Sequence, residues 1–310
     1  MSRTKFTITW FVTWLFVIGW CVGGAHAAAP PTAAPDLKVL AIETFLADIA
    51  QNVAGERLTV ESLIPIGLDP HSFEPTPGDV RRVAESQVLI LHGAGMEEFL
   101  APILEQAGGE QQIIEAAAGL AFRTPPAADS DLHEHGDPHF WLDPTRVITY
   151  VVNIRDGLSA ADPDGALEYA RNAAAYISQL ESLDRWITEQ VQQIPPEHRL
   201  LVTNHESFGY FADRYGFQVV GTVIPSVSTG ASPSAQQMAQ LIEHIRETGA
   251  PAIFLETGTN PQLAEQIAAD AGVKVVTELF THSITEPGGA APTYIAMMEY
   301  NTRAIVEALK

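Results

Sequence analysis

One long helical pattern, between Asp164 and Gln193, most constrains the fold of this chain. Apolar side chains recur there at three- and four-residue steps, Leu167, Ile177 and Leu183 among them, and no proline interrupts the pattern. A helix of this length is about 45 Å long, which is enough to bridge two domains. On both sides, short apolar runs alternate with helical patterns, as in parallel sheets covered by helices. Before the long helix, for example, the pattern predicts a helix at residues 77–85, a strand at 88–91 and a helix at 96–107. The sequence therefore predicts an α/β protein of two lobes, each with a parallel sheet flanked by helices.

Composition and periodicity divide the chain into five segments. The predicted segments are a signal peptide at residues 1–27, a flexible leader at 28–35, an N-terminal α/β lobe at 36–160, a linking helix at 161–195 and a C-terminal α/β lobe at 196–310. About 283 residues remain after the signal peptide, which is long for a single core of ordinary size. Two lobes are therefore expected on length as well as on pattern.

The first residues have the features of a secretory signal peptide. Arg3 and Lys5 provide a short positive region, residues 6–22 form an apolar run, and Ala25-His26-Ala27 supplies a cleavage site. The alternative is an uncleaved membrane anchor, for which the apolar run is short. We therefore expect an exported protein that is periplasmic or otherwise extracytoplasmic.

Cysteine usage restricts the metal chemistry of the exported chain. Cys21 is the only cysteine, and it lies inside the apolar run, so it leaves with the signal peptide. A lipid-modified cysteine needs a small residue before it, whereas Trp20 precedes this one, so we expect no lipid anchor. The cleaved chain then has neither disulfides nor thiolate ligands. Any bound metal must be held by histidine and carboxylate side chains.

The charge balance excludes one class of partner. The formal net charge of the full chain is −21. A surface this acidic repels nucleic acid and anionic lipid. It also raises the local concentration of cations, although the same charge serves solubility alone. We expect no nucleic-acid partner.

Four histidines lie where a ligand crevice would form. His71 and His139 each follow an Asp-Pro pair, His205 comes just after the apolar run 200–202, and His282 follows another predicted strand. The carboxyl ends of parallel strands form the ligand crevice in α/β sheets. Zinc prefers imidazole nitrogen or thiolate in a tetrahedral shell, whereas manganese favours carboxylate oxygen. Spacing alone leaves open both a metal site between the lobes and loop histidines that only cap or hydrogen-bond.

Longer motifs around these histidines resemble a known family. The stretches Asp69–Pro77, Asp137–Pro144, Asn204–Phe211 and Glu278–Ser283 resemble the four ligand segments of the cluster A-I (cluster 9) solute-binding proteins, which serve zinc and manganese ABC transporters. The similarity spans nearly all of the chain after the signal peptide. It implies two α/β lobes joined by one long rigid helix, in agreement with the pattern above.

The resemblance also implies a ligand set and a metal. Manganese-type members have a glutamate at the third ligand position, where this chain has His205, so the resemblance favours the zinc type. The fourth position is usually an aspartate, and here it is His282. The fourth ligand can therefore be His282, a water molecule, or a carboxylate such as Glu206 or Glu256. The expected metal ligands are His71, His139, His205 and His282, with Zn²⁺ as the transported ligand.

The function implied is capture of zinc in the interdomain cleft and its delivery to an ABC permease. We expect a monomer without enzymatic activity, which binds a divalent metal ion. His133 and His135 lie in an acidic loop and are either a weak accessory metal site or a solvated surface. The alternative function is that of a secreted zinc-dependent hydrolase, with three histidine ligands and Glu206 as the base. No His-Glu-x-x-His motif supports this alternative.

Overall fold

A computed structural model describes Met1 and residues 36–109, 111–123, 136–257 and 259–310. The rest of the predicted signal peptide, the predicted leader, His133 and His135 lie outside the described residues. The described residues from 36 to 310 belong to one compact unit. Among the described residues, no helix combines the length and apolar character needed to cross a membrane.

The first lobe contains a four-stranded parallel sheet. Its strands are β1 (Val39–Ala41), β2 (Val60–Ser62), β3 (Val88–Leu91) and β4 (Gln112–Glu115), and its helices are α1 (Thr44–Ala54), α2 (Pro77–Glu85) and α3 (Leu100–Ala107). The strand order is β2-β1-β3-β4, and all pairs are parallel. Every residue of β1 and β3 is buried, because helices cover both faces of the sheet.

The second lobe repeats this topology after the two helices α4 (Pro144–Ala161) and α5 (Ala166–Val191). Its elements are β5 (Leu200–Thr203), α6 (Gly209–Tyr215), β6 (Gln218–Thr222), α7 (Ala235–Thr248), β7 (Ala252–Glu256), α8 (Gln262–Ala271), β8 (Lys274–Leu279) and α9 (Tyr294–Leu309). The order is β6-β5-β7-β8, again parallel throughout. The predicted α/β class with two parallel sheets is therefore confirmed.

The predicted long helix is α5, with 26 residues. Tyr169, Leu180 and Ile187 belong to its buried stripe, which packs against α1, α4 and α9. Leu167 was assigned to this stripe on periodicity, but it is 88% exposed. It lies two residues before Tyr169, which is about 200° around the helix, and so it faces away from the core.

Helix α3 begins later than the pattern predicts. Helical periodicity starts at Met96, whereas α3 starts at Leu100. Gly93, Ala94 and Gly95 all have positive φ angles, and the Met96 amide donates to the Gly93 carbonyl at 3.1 Å. A tight turn therefore occupies the residues after β3, and the helix forms only beyond it.

One continuous apolar core joins the two lobes beside the ligand loops. The rings of Phe45 and Trp141 stack with centroids 4.6 Å apart. The Tyr294 hydroxyl, at the start of α9, donates to the Trp141 carbonyl at 2.6 Å. Because Trp141 follows His139 by two residues, this packing fixes the loop that carries His139.

Candidate metal centre

Each of the four predicted histidines lies beyond the carboxyl end of a parallel strand. His71 is in a short 3-10 turn after β2, and His139 precedes another such turn on the chain that follows β4. His205 is two residues beyond β5, and His282 is three residues beyond β8. The loops of both sheets therefore face one another across the cleft.

The structure brings these four imidazoles together. His139 lies at the centre, because its Nε2 atom is 3.1 Å from Nε2 of His205 and 3.4 Å from Nε2 of both His71 and His282. One nitrogen from each of the four rings lies within 4.8 Å of the others. We call these four side chains the histidine cluster.

The spacing within the histidine cluster is suited to a small tetrahedral ion. Two nitrogens bound tetrahedrally at zinc–nitrogen distances are about 3.3 Å apart. The three distances from His139 are 3.1 to 3.4 Å. His139 and His205 are fully buried, and His282 is 9% exposed. The cluster can therefore surround a cation that is almost completely shielded from solvent.

Aspartate side chains hold the two histidines of the first lobe. Asp137 Oδ1 lies 2.9 Å from Nδ1 of His139 and accepts a hydrogen bond from its backbone amide at 3.0 Å. Asp69 Oδ1 accepts from the His71 amide at 3.0 Å, and its other oxygen accepts from the Thr229 hydroxyl. Asp137 therefore orients an imidazole ring directly, while Asp69 fixes the turn that carries His71.

Glu256, the last residue of β7, holds the histidines of the second lobe. Its Oε1 lies 2.6 Å from Nδ1 of His205, and its Oε2 lies 3.5 Å from Nδ1 of His282. The Thr281 hydroxyl donates to the same Oε2. The Glu256 carboxylate is the partner of His205 Nδ1, and the Thr281 hydroxyl, 3.1 Å away, is the partner of His282 Nδ1. Each Nε2 is thereby left free for a ligand, which is the usual arrangement around metal-binding histidines.

Burial and the nearby charges act differently on the four rings. Burial, then the neighbouring His205, lowers the pKa of His71 to about 4. Burial also holds the pKa of His139 and of His282 well below the ordinary value. Burial opposes the charged form of His205 too, but the Glu256 carboxylate outweighs it and raises the His205 pKa. Three of the four rings are therefore neutral at physiological pH, as ligands must be.

Hydrogen bonds between the lobes hold the cluster together. The indole nitrogen of Trp141 donates to the Thr281 carbonyl at 2.7 Å. Ser283 Oγ accepts from the Gly67 amide at 2.8 Å and from the Thr44 hydroxyl at 3.2 Å. Residues next to His282 therefore bind residues of the first lobe.

A cavity of about 450 Å³ reaches His71 from outside the cluster. Phe73, Met96, Phe99 and Ser228 are among the residues that line it. Since His71 is the most exposed of the four histidines, this cavity offers a route by which an ion can reach the cluster.

The structure shows where two acidic residues that are candidate ligands from the sequence lie. Glu256 is a possible fourth ligand from the sequence, but it contacts Nδ1 atoms behind the rings. Glu206 is the other candidate ligand and the base of the hydrolase alternative, but it lines a separate cavity with Arg123 and Asp137, and the carboxylate beside His205 Nδ1 belongs to Glu256. The one sequence signal for Glu256 is an acid that ends a wholly buried strand.

The other described histidines lie outside the cluster. His92 is fully buried, and its Nδ1 lies 2.9 Å from the Tyr150 hydroxyl. His198 and His244 are exposed. The structure therefore separates the four convergent histidines from three that lie apart from them.

Comparison with known proteins gives a consistent result. The family profile described as "ZnuA: Zinc-uptake complex component A periplasmic" matches residues 39–308. The manganese-binding lipoprotein MntA of Halalkalibacterium halodurans is 34% identical over 309 residues, covering 100% of this chain and 99% of the relative. The manganese ABC transporter substrate-binding lipoprotein PsaA of Streptococcus mitis is 31% identical over 307 residues, covering 97% and 98%.

Solved structures show the same architecture. The periplasmic zinc binding protein TroA from Treponema pallidum has a TM-score of 0.80 and 27% identity, with 88% of this chain and 99% of TroA covered. The manganese-bound periplasmic metal binding protein from Candidatus Liberibacter asiaticus has a TM-score of 0.78 and 26% identity, with 88% and 100% covered. The match over residues 39–308 and the full-length relatives establish that this chain belongs to the ZnuA family, the cluster A-I solute-binding proteins of metal ABC transporters.

Proposed function

We propose that this protein captures Zn²⁺ outside the cytoplasm in the histidine cluster and delivers it to an ABC permease. The observation that carries the proposal is the convergence of four imidazole nitrogens, a group in which no carboxylate of the described residues takes part. His71 and His139 would supply two ligands from the first lobe, and His205 and His282 two from the second. A monomer is sufficient for such a site, because one chain supplies all four ligands.

The donor set favours zinc over manganese. Imidazole suits zinc, whereas manganese is better held by carboxylate, carbonyl and water oxygens. The relatives MntA and PsaA are named as manganese-binding, and TroA as zinc-binding. With four nitrogen donors, we place this chain with the zinc-binding relatives.

The same donor set favours holding a metal over catalysis. A catalytic zinc keeps one position open for water, whereas four protein ligands fill a tetrahedral shell. The alternative of a secreted zinc-dependent hydrolase receives no support from the comparisons, because PsaA is named as an ABC transporter substrate-binding lipoprotein and MntA as a manganese-binding lipoprotein. It also requires a base at the metal, and Glu206 lines a different cavity.

Export follows from the predicted signal peptide and from the relatives. MntA and PsaA are named as lipoproteins. In this chain Trp20 precedes Cys21, which favours cleavage after Ala27 and release of a protein without a lipid anchor. We therefore propose a periplasmic or otherwise extracytoplasmic protein that docks on its permease from solution.

The first test is metal competition. Purified protein, stripped with a chelator, is offered equal zinc and manganese, and bound metal is counted by elemental analysis after dialysis. We expect one tightly held zinc per chain. The His282→Ala variant should bind zinc more weakly, while His244→Ala, which removes an exposed histidine outside the cluster, should bind as the parent does.

Two outcomes would contradict the proposal. A preference for manganese would overturn the zinc assignment, and the absence of any tightly bound metal would overturn the transport function. Hydrolysis of a model ester that persists through dialysis and stops with chelator would instead support the hydrolase.

A further inference from the structure

A side chain outside the histidine cluster connects the second lobe to the central histidine. Arg123 lies on the segment that follows β4, and its guanidinium forms a two-point ion pair with Asp213 on α6. The two contacts are 3.0 Å from Nε to Oδ2 and 3.2 Å from Nη2 to Oδ1. The Arg123 side chain is 17% exposed and the Asp213 side chain 58%, so the guanidinium end of the pair is shielded from solvent and the carboxylate end is not.

Helix α6 is shaped to receive this guanidinium. At Gly209, the first residue of α6, an added Cβ would lie 2.6 Å from Nη1 of Arg123. Any larger residue would therefore displace the arginine. The glycine lets the guanidinium lie directly on the helix backbone.

The side chain of Tyr210, on the same helix, hydrogen-bonds to the backbone of two residues of the first lobe. Its hydroxyl accepts from the Arg123 amide at 3.1 Å and donates to the Asp137 carbonyl at 2.8 Å. One hydroxyl of the second lobe therefore fixes the backbone of the first lobe at Arg123 and at Asp137. Asp137 is the residue that orients His139.

The guanidinium also reaches the Asp137 side chain. Its Nη1 lies 3.9 Å from Asp137 Oδ2, while the other oxygen of Asp137 faces the His139 ring at 2.9 Å. Asp213, Arg123, Asp137 and His139 thus form a continuous path from α6 to the central imidazole. We call it the Arg123 clasp.

We propose that Arg123 is a positioning residue that couples closure of the two lobes to the orientation of His139 and thereby slows metal release. This inference rests on the proposed metal-binding function. Separation of α6 from the first lobe would withdraw Asp213 and Tyr210 together, and Asp137 would lose the contacts that fix it behind His139. A docking partner that opens the lobes would therefore weaken the metal site directly through this coupling.

The test is the rate of zinc release from the full protein, followed by stopped flow against an excess of chelator. Loss of a group that supports a metal ligand commonly costs tenfold to a hundredfold in affinity. We expect Arg123→Ala and Asp213→Asn to release zinc about tenfold faster. Arg123→Lys keeps the charge but loses the planar two-point contact. Its zinc release rate should therefore lie between that of Arg123→Ala and that of the parent.

A matched control removes an arginine of α6 itself. Arg214 forms a two-point pair with Asp184 on α5, at 2.9 and 2.6 Å, so it pairs with the linking helix rather than with Asp137 or His139. Arg214→Ala should therefore release zinc at the parental rate. The visible spectrum of Co²⁺ in the site adds a readout of ligand geometry, which should change in Arg123→Ala and not in Arg214→Ala.

The outcomes separate this inference from the proposed function. A parent protein that holds no metal overturns both. A parent that holds zinc, with unchanged release and an unchanged Co²⁺ spectrum in Arg123→Ala and Asp213→Asn, overturns the clasp alone. Equal acceleration in Arg214→Ala also overturns it, because general loosening of α6 would then be the cause.

Discussion

His282 is the cluster histidine whose residue type departs from what the resemblance implies. Its Nε2 lies 3.4 Å from Nε2 of His139, and its Nδ1 faces Glu256. The resemblance leads one to expect an aspartate here. A nitrogen donor at this position removes the oxygen ligand that would favour manganese.

Replacement of His282 by aspartate should therefore shift metal preference. We expect His282→Asp to lower the preference for zinc over manganese by about tenfold, since one nitrogen donor becomes an oxygen donor. Competition between the two metals, measured by elemental analysis, gives the ratio. His282→Ala serves as the control and should weaken both metals. An unchanged ratio in His282→Asp would show that the fourth position does not set selectivity.

Glu256 acts through the rings that it holds. We expect Glu256→Gln to weaken zinc binding by tenfold or more, because the amide replaces the charged acceptor at Nδ1 of His205. Titration against a chromophoric zinc chelator measures the change. Glu243→Gln, on the exposed face of α7, is the control. Parental affinity in Glu256→Gln would contradict an orienting role.

At the scale of elements, α5 shows how burial rather than residue type sets stability. Leu180 is fully buried on this helix, whereas Leu167 is 88% exposed. We expect Leu180→Ala to lower the free energy of unfolding by about 2–5 kcal/mol, since it leaves a cavity. Leu167→Ala should change it by less than about 0.5 kcal/mol. Urea unfolding of both variants measures these changes. Equal losses of unfolding free energy would contradict the assignment of Leu180, but not Leu167, to the core.

The loops after β1 and β3 bring two buried carboxyl groups together. Burial, then the charge of Glu97, raises the pKa of Glu43 well above its ordinary value. Burial raises the pKa of Glu97 to about 7, although the amides of His92 and Gly93 donate to it. The protonated form of Glu97 is therefore favoured in the folded protein relative to the unfolded chain.

This arrangement predicts a pH dependence of stability. Because the pKa of Glu97 is raised in the folded protein, its contribution to the stability of the folded state is complete below its unfolded pKa near 4.5. This contribution is lost as pH rises through the folded pKa of about 7. Relative to Glu97→Gln, the free energy of unfolding of the parent should fall by on the order of 2 kcal/mol as pH rises across this window. Urea unfolding of metal-free protein over the window measures it, with the exposed Glu98→Gln as control. Parallel curves for the parent and Glu97→Gln would contradict the prediction.

At the scale of the whole molecule, the metal would join the lobes. Two cluster histidines come from each lobe, so a bound ion adds ligand bonds across the cleft. A ligand at a thousandfold excess over its dissociation constant stabilises the folded state by about 4 kcal/mol. We expect zinc to raise the melting temperature by several degrees in one cooperative transition. Calorimetry with zinc and with chelator tests this, and identical melting curves would contradict it.

Periodicity by itself determined most of the architecture. Residues 77–85 and 88–91 were predicted as a helix and a strand with the bounds that the structure has. Local signals are sufficient there, because Pro77 and the Thr76–Asp79 capping box start α2, and a fully apolar run forms β3. The start of α3 was missed, because the positive φ angles at residues 93–95 have no clear periodic signal.

The sequence also determined which histidines to consider, but only the tertiary structure decided how they meet. His71 and His139 are 68 residues apart and His139 and His205 are 66 apart, so no helix or strand places them on one face. Their meeting depends on how two separate sheets pack across a cleft. The central position of His139, the support of His205 by Glu256 and the Arg123 clasp all follow from that packing, because each depends on residues from different elements.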